Sequence, residues 1–272
     1  MPRIGLALGG GGARGLAHIP LLETLDDMGI VPSVIAGTSM GAIVGALYAS
    51  GHSGRDIRGI VEELFATKGS TLERIRNTDW RRTLELVDPN FGRGGLIKGE
   101  KILSFFTDKL GGKNFKDIEA KLYLVATDFW QRSEVVFESG DLAHAVRASM
   151  AVPGVFAPVL DEGRVLVDGG MVNPLPYDLI MPHCDISIAI DVAATRKPGR
   201  KTLPNIQETV VYSFDTMQKA LTDQKMKFVQ PGIYLAPKMT GVGLLDFFRA
   251  GEIFEAGEKL KDDLKCQLEN LV

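Results

Sequence analysis

Apolar residues fall into two rhythms along this chain. Short apolar runs at Ile4 to Leu8, Val34 to Ala36, 122 to 127, 133 to 137, 164 to 167, 186 to 192 and 232 to 235 read as buried strands. Between them the spacing becomes helical. Apolar positions 16, 19, 21, 22, 25 and 28 predict a helix over Leu16 to Met28, and small residues predict another over Ala42 to Ala49. Further helical patterns occupy 56 to 65, 99 to 110, 141 to 149, 206 to 228 and 246 to 270. Strands alternating with helices in this way predict a mixed sheet covered by helices, an α/β sandwich. Residues 28 to 54 carry no Asp, Glu, Lys or Arg, but Pro32, Ser33, Thr38, Ser39, Ser50 and six glycines interrupt the stretch. A buried strand and helix account for it better than a membrane span does.

Two of the strand-to-helix joints carry chemistry. Gly37-Thr38-Ser39-Met40-Gly41 lies between the second strand and second helix, the spacing of a serine held on a sharp turn with glycines that permit close packing. Chance alone would place one such pattern in about one chain in seven of this composition, so its position matters more than its letters. Gly9 to Gly15 forms the other joint, a loop of bare N–H groups beside Arg14 at a helix start. Such donors suit an oxyanion or a phosphate. A dinucleotide site would need an acidic residue after the second strand, where Gly37-Thr38-Ser39 stands, and a P-loop would need Lys and Ser/Thr where Leu16 and Ala17 follow Gly15. Acyl transfer is the reading that remains.

A serine nucleophile requires a base. The four histidines are His18, His52, His144 and His183, and only His183 follows Asp168 in the Ser, Asp, His chain order known from α/β-hydrolases. Each sits where a packing or surface role is expected, His183 included, since it is flanked by Met181-Pro182 and leads directly into a strand. Asp168 is the stronger candidate: Val165-Leu166-Val167 runs straight into it, and Gly169-Gly170 opens the turn behind. Taken alone, Asp168-Gly169 could equally be a plain hairpin turn.

Together these segments resemble the patatin-like phospholipases. Gly10-Gly11-Gly12-Ala13-Arg14-Gly15 is similar to that family's oxyanion loop, Gly37 to Gly41 to its elbow, and Asp168-Gly169-Gly170 to its aspartate turn. Ala148-Ser149-Met150-Ala151-Val152-Pro153, with Phe156 and Pro158, resembles the block preceding that aspartate. The likeness runs from residue 4 to about 192, and Asp246 to Gly251 with the following helix resembles the tail of small bacterial members. It implies a three-layer sandwich on a mixed, mostly parallel sheet, a Ser39–Asp168 catalytic dyad, and oxyanion donors from Gly10, Gly11 and Gly12 supported by Arg14. It implies no cofactor and no metal.

Composition adds limits. At 272 residues and 45% hydrophobic, the chain can bury one full core, and no linker or low-complexity stretch divides it, so a single domain over 1–272 is expected. Residues 52–120 contain a candidate cap, with Arg74 to Gly95 the least regular part, and 246–272 a C-terminal helix. The net charge of −3 gives no case for nucleic acid. Cys184 and Cys266 read as reduced thiols. The apolar run before the first glycines is too short for a secretory leader, so a cytoplasmic location is expected, with peripheral contact at the inner face of the membrane allowed. Leu244, Leu245, Phe247, Phe248, Ile253 and Phe254 are expected to pack on the domain rather than lie on a bilayer. Oligomeric state leaves no signal. Three functional classes follow: a hydrolase of phospholipid or other fatty acyl esters, a soluble carboxylesterase or thioesterase, and a regulatory protein with little turnover. The intact Ser39 and Asp168 favour the first two.

Overall fold

The computed structural model describes residues 2–66, 95–193, 203 and 206–271. Its centre is β1 (Ile4–Leu8), buried at every position and paired in parallel with β2 (Val34–Thr38) on one side and β7 (Ile186–Ile190) on the other. β3 (Lys121–Asp128) extends the parallel set beyond β2, and β8 (Ile233–Leu235) extends it beyond β7. Three antiparallel strands complete the eight among the described residues: β4 (Ser133–Phe137) and β6 (Arg164–Asp168) on β3, and β5 (Val159–Asp161) on β6.

Alternation along the strands divides the core into two faces. Leu6, Leu8, Ile35, Leu122, Leu124, Ile188 and Ile190 join the larger cluster. With them pack α1 (His18–Asp27), α2 (Met40–Ala49), α3 (Gly54–Ala66), α4 (Gly95–Asp108) and α5 (Leu142–Ser149). Ala7, Ala36, Tyr123 and Ala189 face the other way, onto Leu175 and the short α6 (Tyr177–Ile180). Small strand residues on that side let α6 approach closely, and Gly5 there lies against Cys184 and Ile180. Residues Met40 to Leu47 of α2 are all buried, which explains the charge-free stretch. No helix among the described residues is long and apolar enough to cross a membrane.

The structure differs from the sequence reading in several places. The first α-helix begins at His18, not Leu16, because Gly12–Ala17 form a 3-10 turn. The C-terminal helix is two, α8 (Ala250–Glu258) and α9 (Lys261–Glu269), broken where Gly257 packs on the carbonyl of Ala17 and the chain turns at Leu260. Three-residue β5 and four-residue α6 escape a reading that needs longer periods. Of the candidate cap region 52–120, residues 67 to 94 lie outside the described residues, and with them all of Arg74 to Gly95 except Gly95. Leu244, Ile253 and Phe254 do pack on the domain, while Phe248 stays partly exposed.

The long α7 (Ile206–Met226) has the reverse of the usual amphipathic pattern. It buries Gln218 and Thr222 and exposes Val210, Met217 and Leu221.

The C-terminal pair is fastened to α1 by charge. Glu23, buried on α1, accepts from Arg58 at 2.6 Å and from Lys261 at 2.9 Å, and Arg58 stacks over Phe254 at 4.3 Å. Removing the carboxylate takes this partner from Lys261 and leaves Arg58 only its bond to Glu258 at 3.2 Å. Glu23→Ala is expected to cost about 2 kcal/mol in urea unfolding, whereas Arg55→Ala, whose bond to Asp27 is solvent-exposed, changes stability little.

Candidate active site

β3 brings the two central residues together. Thr38, the last residue of β2, pairs with Val125, and Asp168, the last residue of β6, pairs with Ala126. β4 overlaps both pairings and so occupies the opposite edge of β3, which places β2 and β6 end to end along one edge. Because β2 runs parallel to β3 and β6 antiparallel, their C-terminal ends point at each other, and Ser39 and Asp168 meet at the junction.

Ser39 occupies a strained backbone, φ 55° and ψ −122°. The turn closes only with glycines: a Cβ on Gly37 would strike the carbonyl of Gly41, and one on Gly41 would strike that of Leu8. The Ser39 N–H donates to Ser149 Oγ at 2.9 Å, and its hydroxyl lies 3.6 Å from Met150 Sδ. The next residue, Met40, starts α2, so its N–H points out of the helix with no intrahelical acceptor.

Asp168 is fully buried. Oδ1 accepts the Gly170 N–H at 2.7 Å, while Oδ2 has no fixed hydrogen-bond partner. Burial pushes the carboxyl up to about 7, against the opposing pull of the Ser39 hydroxyl and the Gly170 amide. The main chain of Asp168 is held on both sides, its N–H on Ala151 O at 3.0 Å and its carbonyl by Thr127 Oγ1 at 2.8 Å.

The glycine loop lies beside this pair, with Gly10 against Ser39 and Thr38. Its amides are not equivalent. Gly10 N–H donates to Pro174 O at 2.9 Å and Ala13 N–H to Leu244 O at 2.8 Å, while Gly11 and Gly12 have no backbone acceptor among the described residues. This corrects the expected donor set, because the Gly10 amide is already committed. Gly12 has φ 56° and packs on Leu244, leaving no room for a side chain. Arg14 is almost wholly buried, with its Nε on Gly11 O at 3.1 Å and its two terminal nitrogens on Asp215 of α7 at 3.1 and 2.8 Å. The guanidinium, expected from the sequence as a supporting charge, shapes the loop and ties it to α7.

None of the histidines is bonded to Ser39 or Asp168. His18 Nε2 meets Gly9 O at 2.9 Å, His52 meets Lys109 O, His144 meets Asp161, and His183 meets the Tyr123 hydroxyl on the far side of the sheet. Burial lowers the pKa of His18 to about 4 and keeps it neutral. Sequence reasoning missed the parts that brace the site: Ser149, Ala151, Pro174 O, Leu244 O, Asp215 and the Met40 amide. Of these, Ser149 and Ala151 lay in the Ala148–Pro153 block, Met40 in the elbow and Leu244 in the apolar C-terminal cluster, and none carried this role there.

A family model described as patatin-like phospholipase matches residues 6–181, a span holding the glycine loop, the elbow, the Ala148–Pro153 block and the aspartate turn. The chain belongs to the patatin-like phospholipase family. Among curated proteins, an uncharacterized NTE family protein of Mycobacterium tuberculosis is 38% identical over 207 residues, covering 75% of this chain and 53% of its own length. Lysophospholipase nte1 of Aspergillus fumigatus is 28% identical, covering 96% of this chain and 18% of its own length. This patatin-like chain thus spans about half the length of the mycobacterial relative and much less of the fungal one. VipD from Legionella pneumophila shares the fold, with a TM-score of 0.56 at 13% identity, covering 96% of this chain and 66% of that one.

The raised Asp168 has a thermodynamic signature in this patatin-like fold. Between about pH 4 and 7 the folded protein holds a proton on Asp168 that the unfolded chain has lost, so this group's stabilisation fades as pH rises. His18 acts with the opposite sign, since below its ordinary value the unfolded chain binds a proton that the folded one refuses. Subtracting a variant that keeps His18 isolates Asp168. Measured by urea unfolding, the stability of wild type relative to Asp168→Asn is expected to fall from pH 4 to 7 and level off above about pH 8. Parallel curves would mean an ordinary carboxyl.

Proposed function

We propose that this chain is a serine lipid acyl hydrolase, cleaving fatty acyl esters of phospholipids or related lipids through a Ser39–Asp168 dyad. The observation that carries the reading is Ser39 set against a fully buried Asp168 whose carboxyl is raised to about 7, with every histidine bonded elsewhere. Ser39 Oγ attacks the acyl carbonyl while Asp168 takes its proton, and the charge developing on the carbonyl oxygen is held by backbone amides. The amides of Gly11, Gly12 and Met40 are the available donors. Collapse of the tetrahedral adduct expels the alcohol, which takes the proton back from Asp168 and leaves an acyl-Ser39 ester. A water then enters, Asp168 removes its proton, and the fatty acid departs as Ser39 is restored.

A carboxylate is an unusual base for a hydroxyl, and burial supplies part of the remedy. At its ordinary value near 3.9 it would hold a serine proton poorly; near 7 it approaches the range where imidazole works. The oxyanion donors supply the rest, since loss of one typically costs about 10²-fold in rate.

Peripheral contact with a lipid surface belongs to the same reading. α7 reaches the oxyanion loop through Asp215 and rests Gln218 on Gly170, beside Asp168, while Val210, Met217 and Leu221 face outward. Trp130, 72% exposed after β3, adds an aromatic side chain of the type that settles at lipid interfaces.

Hydrolysis of esters graded from short-chain p-nitrophenyl esters to diacyl phospholipid vesicles tests the reading. Activity should rise with acyl length and with pH through about 7, vanish in Ser39→Ala and Asp168→Asn, and survive in His183→Ala. Preference for short, monomeric esters would indicate a soluble carboxylesterase or thioesterase. Absence of Ser39-dependent turnover on any ester would favour a regulatory role. Met217→Glu with Leu221→Glu should lower vesicle hydrolysis several-fold and leave soluble esters unaffected.

A further inference from the structure

Ser39 and Asp168 are both held by one short stretch to which the reaction assigns no part. Ser149, the last residue of α5, is fully buried. Its Oγ accepts the N–H of Ser39 at 2.9 Å and donates to the carbonyl of Val125 at 2.6 Å. Val125 is the β3 residue paired with Thr38, so the hydroxyl returns the elbow's bond to the strand that β2 and β6 share. Two residues on, the Ala151 carbonyl accepts the N–H of Asp168.

We propose that Ser149 is a positioning residue for acyl transfer: it relays a hydrogen bond from the Ser39 amide to β3 and thereby holds the strained elbow with its nucleophile toward Asp168. The inference rests on Ser39 acting as the nucleophile. A non-glycine residue at positive φ persists only where its surroundings over-determine it, and the Ser39 N–H is the donor nearest the strain. Without Ser149 Oγ that amide would be buried with no acceptor. The position asks for a group that accepts and donates at once within a closed space. A hydroxyl does both, a methyl neither, and a thiol of similar size does each weakly.

The test uses Ser149→Ala and Ser149→Cys, with two readouts on protein whose folded fraction is measured by circular dichroism. One is the rate at which a fluorophosphonate labels Ser39, and the other is steady-state hydrolysis of a short-chain p-nitrophenyl ester. Both variants should label about 10- to 100-fold more slowly and lose kcat by a similar factor, with KM within about twofold of wild type. Ser149→Cys nearly keeps the volume of the side chain, so its loss separates the hydrogen bond from packing. A purely structural role would lower the unfolding temperature of Ser149→Ala and leave the folded protein's labelling rate unchanged, and that result would overturn the proposal. Wild-type protein that fails to label at Ser39 would instead overturn the nucleophile assignment, and this inference with it.

Discussion

One edge of β3 is shared by two strands of opposite direction, and the site depends on that sharing. With the parallel β2 along the first part of β3 and the antiparallel β6 along the last part, the two C-terminal ends meet, whatever loops connect them. The backbone ladder sets Thr38, the residue before Ser39, and Asp168 at neighbouring registers, Val125 and Ala126. Precision of this kind is expected from sheet hydrogen bonds and is hard to obtain from side-chain packing alone. The buried β1 and the helices behind it hold the sheet, and Gly41, packed closely on Leu8 O, ties the turn at Ser39 to β1.

The same arrangement creates an electrostatic tension. Asp168 is fully buried in the resting fold, and among the described residues its carboxylate has one fixed donor, the Gly170 amide. A buried carboxylate with two or three donors would be stabilised as an anion and become a feeble base. Leaving Oδ2 without a fixed partner keeps the proton affinity high, as the proposed role of Asp168 as base requires. The cost in folding stability is borne by the surrounding core, a pattern typical of functional sites. Arg14 shows complementary logic: its charge is neutralised by Asp215, so the glycine loop is shaped by a cation without exposing one to Asp168.

Much of this was legible in the sequence because it rests on local signals. The strands from Ile4, Val34, Lys121, Ser133, Arg164 and Ile186 announce themselves by apolar runs, and the elbow by its two glycines. Ser39 and Asp168 stood out because each ends a strand at a glycine turn. What was not legible depends on contacts distant in the chain. Gly10 could not be told from Gly11 and Gly12 as a donor, since only the fold reveals that Pro174 O claims its amide. Arg14 gave no hint of Asp215, 201 residues away. Ser149 lay within a recognised block, yet its partners, Ser39 and Val125, are 110 and 24 residues removed. The division of the C-terminal helix was hidden for the same reason, because Gly257 is set by a carbonyl of the first helical turn.

The most direct measurement is a carbon-13 NMR titration of the Asp168 side-chain carboxyl in the resting protein, assigned by its loss in Asp168→Asn. A midpoint near pH 7 would fit a buried base facing Ser39 with a single fixed donor. A midpoint in the ordinary carboxylate range, about 4, would contradict it, because an anion that stable could not accept the serine proton.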